Sequence, residues 1–244
     1  MSFNFIGGEP SMWKFINESI LFLKNKNKKV SIFSNGTKLL RVMPDNLIIN
    51  GTNLLSMSDR NRILNNLTIY KENKVNIKLR FNITTTIKDH TDEIIRFAKQ
   101  YATSVSLSIL YPPTLDKQLG RTLYSLSDNL LSNSIKTEIP RATPLCIFSE
   151  EERSYLKAKC SLKGKCKLPS HSFLINPDGQ TVQPCVELGI KKHIDDLKER
   201  SPKRLFMKSI GELRANAGLQ CLNCSLKDEC NGGCLGYRLN NAEI

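Results

Sequence analysis

Four cysteines stand in a Cys221-x2-Cys224-x5-Cys230-x3-Cys234 run, and Cys146, Cys160, Cys166 and Cys185 lie upstream of it. Thiolates are soft, strongly donating ligands that suit zinc or iron–sulfur clusters. The short connections let the chain curl so that several sulfurs converge on one centre, and Gly232, Gly233 and Gly236 free the backbone to bend around Cys234. All eight cysteines lie at or after Cys146. A secreted disulfide framework would rarely confine them so, whereas clustered cysteines in a reducing compartment are usually metal ligands. A zinc site needs four ligands, which the terminal run can supply by itself. Spacing alone leaves zinc and iron–sulfur nearly even.

The other end of the chain carries Gly7-Gly8-Glu9-Pro10 directly after the strand-like Phe3–Ile6. Two glycines at a strand end let a ligand approach the backbone closely, and Pro10 suits the start of a helix. Taken alone, the tetrapeptide also reads as a tight strand-to-helix turn. Ser34-Asn35-Gly36-Thr37 is a second turn signal. His90, His171 and His193 are isolated and read as surface or structural residues, and Asp178 reads as a turn residue. Tyr237 and Arg238 follow the last cysteine and read as packing residues. No Ser-His-Asp arrangement, phosphate loop or carboxylate pair stands out.

The elements that must position these residues alternate between strand and helix. Strands are expected at Phe3–Ile6, Val30–Phe33, Leu47–Gly51, Val75–Ile83 and Val105–Leu110, with a further strand-like run at Ile135–Ile139. Helices are expected over Trp13, Ile16, Ile20 and Leu23, then over Ser58–Lys71, Asp92–Tyr101 and Arg121–Ser132. That alternation implies a parallel sheet with helical crossovers. In Val75–Ile83 the odd positions are apolar, while Asn76, Lys78, Arg80 and Asn82 fill the even ones. Ser104, Ser106 and Ser108 alternate with apolar residues in the next strand. A parallel strand buried on both faces is apolar throughout, so one face here is expected to line a polar chamber or water.

The formal net charge is +13 and aromatic residues make up 7% of the chain. Scattered lysines on solvated faces account for the charge, and an anionic partner is the sharper alternative. The basic residues are not interleaved with aromatics, which argues against nucleic acid. Neither a membrane-length apolar run nor a secretory signal is visible, so a cytoplasmic protein without a membrane partner is expected.

The Cys-x2-Cys-x5-Cys-x3-Cys run, preceded by paired cysteines and the Asn176-Pro177-Asp178-Gly179 turn running into Pro184-Cys185, resembles the SPASM domain. That module carries auxiliary clusters in radical S-adenosylmethionine (SAM) enzymes that modify peptides and proteins. The resemblance implies that Cys160, Cys166, Cys185 and Cys234 hold one [4Fe–4S] cluster and that Cys221, Cys224 and Cys230 supply three ligands of a second. Two departures stand out. Five residues separate Gly179 from Cys185 where the family has four, and the family's last cysteine, well beyond the Cys-x3-Cys step, is not matched. The second cluster is therefore absent, labile, or completed by Cys146 or a non-cysteine ligand.

Gly7-Gly8-Glu9-Pro10 matches the turn that holds the amino group of SAM in the same family, and Ser34-Asn35-Gly36-Thr37 resembles the turn ending its next strand. Arg80 and Asn82 lie where such enzymes contact the cofactor. The resemblance implies an α/β fold: a partial, incomplete parallel β/α barrel over residues 1–145, then a small cysteine-rich α+β iron–sulfur domain over 146–244. The family's catalytic Cys-x3-Cys-x2-Cys loop is not matched, since no cysteine precedes Cys146. The chain is therefore expected to be a fragment, a degenerate homologue, or one part of a split enzyme whose partner chain supplies the missing strand, and not to cleave SAM alone. A peptide or protein substrate is the expected partner. The alternative is a non-catalytic iron–sulfur or zinc-binding module that recognises a peptide.

Overall fold

In strand β4 (Asn76–Ile83) the residues Ile77, Leu79, Phe81 and Ile83 are buried, while Lys78, Arg80 and Asn82 between them are half-buried. Alternate side chains of a strand point to opposite faces, so this one element already sorts the sheet into an apolar and a polar side. The computed structural model describes residues 2–55, 58–84, 86–109, 116–216, 221 and 223–240. Those residues form two compact units, one drawn from Met1–Leu110, Gln118–Pro140 and Ala158–Ser161, the other from Tyr111–Lys117, Arg141–Lys157 and Leu162–Ile244. The position 145/146 thus falls inside a stretch of the second unit.

The first unit is one six-stranded parallel sheet in the order β1 (Ser2–Phe5), β2 (Lys29–Ser34), β3 (Asn46–Asn50), β4, β5 (Ser104–Ile109) and β6 (Thr137–Glu138). The expected end of β5 at Leu110 lies outside the described residues. Spatial order follows chain order without a reversal, which is the winding of β/α barrels and not of doubly wound sheets. Helices α1 (Ile16–Asn25), α2 (Thr52–Leu55), α3 (Arg60–Glu72), α4 (Thr91–Tyr101) and α5 (Lys117–Ser132) fill the connections. Ile16 and Ile20, Ile63, Leu67 and Tyr70, Ile94 and Phe97, and Leu123, Leu126 and Leu130 recur at helical spacing and are all buried. They form the core with Ile32, Leu47, Ile49, Leu79, Phe81 and Leu107 of the strands.

Trp13 departs from the expected helix face. A 3-10 turn, Pro10–Met12, takes the start of that segment, the backbone at Trp13 is extended, and α1 begins only at Ile16. Trp13 is left 47% exposed, its ring 6.2 Å from Phe5 and 6.0 Å from Phe15.

Strand register explains the polar side. Ser31, Asn46 and Asn76 are lateral neighbours, and so are Asn50, Arg80 and Ser106, and then Asn82 and Ser108. Asn46 donates to the Ser31 hydroxyl at 3.1 Å, Asn76 to the Asn46 carbonyl oxygen at 2.8 Å, and Arg80 to the Ser108 hydroxyl at 3.2 Å. Lys78 pairs with Glu138 at 2.6 Å. The expected polar face is present, but at β5 it is not wet: Ser106 and Ser108 are almost fully buried.

The second unit has fewer and shorter elements. Helix α6 (Glu150–Cys160) begins in it, with Ser149 and Glu152 exchanging side-chain to backbone hydrogen bonds at its start as a capping box. An antiparallel sheet of β7 (Leu174–Ile175), β8 (Thr181–Gln183) and β9 (Lys192–His193) follows, then α7 (Asp196–Glu199), α8 (Pro202–Asn216), α9 (Lys227–Cys230) and α10 (Leu235–Asn240). Its core is a small cluster of Val182, Leu205, Phe206, Ile210 and Leu235. Among the described residues no helix is long and apolar enough to cross a membrane.

Candidate functional site

Gly7 and Gly8 end β1 with φ of +102° and +53°, a left-handed region that β-carbon-bearing residues avoid. A Cβ built on either glycine would meet nothing within 4 Å. The pair therefore leaves an open cradle beside the backbone rather than a tight packing contact. Glu9 follows and caps the Pro10–Met12 turn, accepting from the Ser11 N–H at 3.0 Å, with Pro10 in the first turn as expected. The same carboxylate reaches the end of the next strand. Its Oε1 accepts from the Ser34 hydroxyl at 2.9 Å and its Oε2 from the Asn35 N–H at 2.6 Å.

The Ser34–Thr37 turn is closed by its own side chains. Ser34 Oγ accepts from the Gly36 N–H at 3.0 Å, and Asn35 Oδ1 accepts from the Thr37 N–H at 2.9 Å and its hydroxyl at 2.7 Å. Gly36 has φ of +82°, and a Cβ there would stand 3.0 Å from Ile63. Asn66 donates to the Gly36 carbonyl at 2.9 Å, so α3 pins the turn from outside. Ser34 and Asn35 are thus presented at the mouth of the sheet by a fully bonded loop.

These residues share one cleft of about 330 Å³ with Ile6, Phe33, Ile48 and Asn50 of the same unit. Of the eight residues expected to contact a cofactor, Gly7, Gly8, Glu9, Ser34, Asn35, Arg80 and Asn82 line it, and Pro10 stands behind Glu9 in the turn. The cleft combines a carboxylate, a guanidinium and three amide side chains with an apolar wall from Ile6, Phe33 and Ile48. That composition complements a zwitterionic ligand with an apolar or aromatic part. Asn50 is not apparent from composition, yet it ends β3 in register with Arg80.

The second unit holds the thiols. Chain reversal between Cys230 and Cys234 uses three consecutive left-handed residues, Asn231, Gly232 and Gly233, with φ of 45°, 75° and 81°. Downstream, a Cβ on Gly236 would lie 2.2 Å from Glu187 Cβ, so α10 and the 3-10 turn Val186–Leu188 touch without room for a side chain. That contact brings Cys234 and Cys185 into one neighbourhood. Burial is the main cause that raises the Cys185 thiol, and the nearby Cys234, Glu187 and Cys166 add to it. Arg141 donates to Glu187 at 3.4 Å and lies 3.8 Å from Cys234 Sγ, placing a cation at that sulfur.

A second group forms around Cys230. Leu145 N–H donates to Cys230 Sγ at 3.2 Å, and Leu226 N–H donates to Cys224 Sγ at 3.4 Å. The Cys146 thiol is raised chiefly by burial, then by Cys230, Cys221 and Cys224 around it. Cys160 stands apart from both groups in kind. It belongs to the first unit, is fully buried, and its thiol is pushed up to about 11 by burial, against a hydrogen bond with Ser127. Either unit by itself therefore contains only part of the expected set Cys160, Cys166, Cys185 and Cys234. Among the described residues no three His, Cys, Asp or Glu side chains converge closely enough for one metal ion.

Asp178 is the turn residue expected. It accepts from the N–H groups of Gln180 and Thr181 and from the Thr181 hydroxyl, and these bonds, Thr181 foremost, lower its carboxyl. His90 and His193 pair with Glu93 and Asp195 at the surface. A cleft of about 580 Å³ in the second unit is lined by Lys157, Lys163, Lys165, Lys167, Lys203 and Arg214 over a floor that includes Leu145, Leu162 and Leu168.

No family model matches the chain, and no curated protein matches it in sequence. Solved structures do match its fold. Streptococcus suis SuiB bound to S-adenosylmethionine aligns with a TM-score of 0.64 at 17% identity, over 96% of this chain and 61% of that one. The chain thus spans about three fifths of SuiB. The anSMEcpe protein with bound AdoMet aligns at 0.63 and 18% identity, over 99% and 77%. Native anSMEcpe with AdoMet and the Kp18Cys peptide aligns at 0.65 and 17%, over 99% and 81%. The chain has the fold of these proteins, which were solved with S-adenosylmethionine bound.

Proposed function

We propose that the chain is an iron–sulfur protein of the radical SAM/SPASM type, whose parent activity is SAM-dependent radical modification of a peptide or protein. One observation carries this reading. The Gly7–Gly8 cradle, the Glu9-bound Ser34–Asn35 turn, and Arg80 and Asn82 meet in one cleft whose charged and amide groups complement a zwitterion. The neighbours of the same fold were solved with S-adenosylmethionine bound, and SuiB also with its precursor peptide SuiA. Gly7, Gly8, Glu9, Pro10, Ser34 and Asn35 would hold the amino-acid end of SAM, and Arg80 and Asn82 the remainder.

The cysteine module would carry one or two auxiliary [4Fe–4S] clusters, with Cys160, Cys166, Cys185 and Cys234 for one and Cys221, Cys224 and Cys230 for the other. The donor chemistry supports this reading, since N–H groups are aimed at two of the sulfurs and a guanidinium lies near a third. Bound SAM supplies a reductively cleavable sulfonium, and clusters supply one-electron transfer. The residues of this chain bind and orient. Glu9 fixes two strand ends to each other, and Arg141 balances charge at Cys234.

Calorimetric titration of the anaerobically reconstituted protein with SAM is expected to saturate. Glu9→Ala with Arg80→Ala is expected to weaken binding about tenfold or more, as for loss of charged hydrogen bonds. Absence of saturable binding by the parent protein overturns the SAM assignment. Colourless protein with stoichiometric zinc and no sulfide removes the iron–sulfur assignment. This 244-residue chain carries no Cys-x3-Cys-x2-Cys run, so it is expected to release no 5′-deoxyadenosine by itself.

A second reading, a non-catalytic module that recognises a peptide, is favoured by the basic cleft of the second unit. Lys157 there is paired with Glu229 and Arg214 with the Cys166 and Leu168 carbonyls, but four further lysines line the same apolar floor. An acidic peptide would bind there and be weakened by salt. Salt-sensitive peptide binding without any SAM binding would select this reading.

A further inference from the structure

Three cysteines, Cys221, Cys224 and Cys230, leave one iron of a four-iron cluster without a thiolate. The segment that approaches this group is the stretch from Pro144 to Ile147. Leu145 N–H donates to Cys230 Sγ at 3.2 Å. A Cβ on Gly233 would stand 2.7 Å from the Pro144 ring, and one on Gly164 would stand 2.7 Å from Leu145 and 2.9 Å from Cys230 Cα. Three separate contacts therefore clamp this stretch onto the Cys230 loop, and two of them require glycine. Leu145 and Ile147 are buried on either side of Cys146, which is itself accessible. Burial of both neighbours fixes the backbone of the 3-10 turn Leu145–Ile147 and so holds Cys146 between them at the Cys230 loop.

We infer that Cys146 is the fourth thiolate ligand of the group formed by Cys221, Cys224 and Cys230, so that this cluster is coordinated entirely by protein. The inference rests on the iron–sulfur reading above and adds a residue to it. The Cys230 loop is built to be approached, since replacement of Gly233 by any other residue would strike Pro144 while also straining a φ of +81°. A ligand that reaches its cluster from the Pro144 side binds the segment 141–148 to the Cys221–Cys230 loop. Iron bound there would then serve as a cross-link between two stretches of chain about eighty residues apart, in the manner of other structural metal sites.

The test uses the full chain, reconstituted anaerobically with iron and sulfide. Cysteines are labelled with iodoacetamide in the presence and absence of the cluster, and the modified peptides are quantified by mass spectrometry. Cys146 is expected to be protected about tenfold or more in the holoprotein and to label readily after iron is chelated, because a metal-bound thiolate is withdrawn from attack. A Cys146→Ala variant is expected to keep iron but to show a changed electron paramagnetic resonance spectrum that responds to added imidazole, which the parent spectrum does not. Equal labelling of Cys146 with and without a cluster, or a Cys146→Ala spectrum identical to the parent, overturns the assignment while leaving the iron–sulfur reading intact. If the parent protein binds no iron and sulfide, both fall together. The labelling arm needs no variant, so misfolding of Cys146→Ala does not blunt the test.

Discussion

The cleft at the strand ends and the thiol-bearing unit are held in place by different means. Cleft residues stand at the ends of β1 to β4; the apolar sides of β2 to β4 are buried at close to zero exposure, while β1 is half-buried to exposed. Apart from Cys160, which ends helix α6 and belongs to the first unit, the cysteines stand on turns and on elements of three or four residues, and their unit has a core cluster of five buried residues. The first arrangement needs nothing but the chain, because regular strand pairing and apolar burial already fix the strand ends. The second has thiols brought near each other by glycine contacts and turns, with little apolar area behind them. On the proposed function, cofactor binding would be an addition to a finished structure in one unit and a contribution to the structure itself in the other.

That contrast is tested most strongly by removing metal. Anaerobic chelation of the reconstituted protein is expected to abolish slow hydrogen exchange across residues 162–240 and to leave β2 to β5 protected. Structural metal sites contribute on the order of 10 kcal/mol to the domains they hold, far more than a five-residue core cluster can replace. Unchanged protection in the second unit would erase the contrast. Next in size is Gly236→Ala, which drives a Cβ into Glu187 and is expected to cost about 1–3 kcal/mol by overpacking. It should lower the thermal midpoint of the second unit and perturb the cluster spectrum, because Cys185 and Cys234 flank that contact, without changing SAM affinity.

The smallest effect belongs to the first unit. Tyr70 is buried and its hydroxyl accepts from Leu40 N–H at 2.9 Å, and burial pushes its ionisation up to about 12 from the usual 10. With the folded value above the unfolded one, its contribution is complete below pH 10 and is lost as pH rises through about 12. Tyr70→Phe should remove that alkaline component from the unfolding curve of the first unit and cost about 1 kcal/mol through the lost hydrogen bond. An unchanged alkaline limb would show that Tyr70 does not set it.

Strand and helix positions were legible because the first unit obeys simple periodicity. The alternation of Ile77, Leu79, Phe81 and Ile83 with Lys78, Arg80 and Asn82 announced both faces of β4 before any neighbour was known. Trp13 misled, since helical spacing does not register that Pro10 and the Glu9 cap spend those residues on a 3-10 turn. Gly7, Gly8 and Glu9 were legible as a turn, yet not the bonds from Glu9 to Ser34 and Asn35, which join positions 25 and 26 residues apart. Register hid Asn50 in the same way. In the second unit the cysteine spacing pointed to a metal module as an expectation, but not to Leu145 donating to Cys230 or to Arg141 standing at Cys234. Such pairings span 85 and 93 residues and follow only from three-dimensional closure.

The carboxylate of Glu9 has consequences for how this protein can change over generations. Both its oxygens are engaged, by Ser11, Ser34 and Asn35. A glutamine at position 9 would turn one acceptor into a donor facing a backbone N–H, so the most conservative exchange is a poor intermediate. Positions 9 and 34 are therefore expected to drift as a pair or not at all, whereas position 35, held through its backbone, can vary more independently at that contact. A lineage that abandoned the cleft would be recognised first by loss of that pairing, while the buried strands beneath it stayed recognisable.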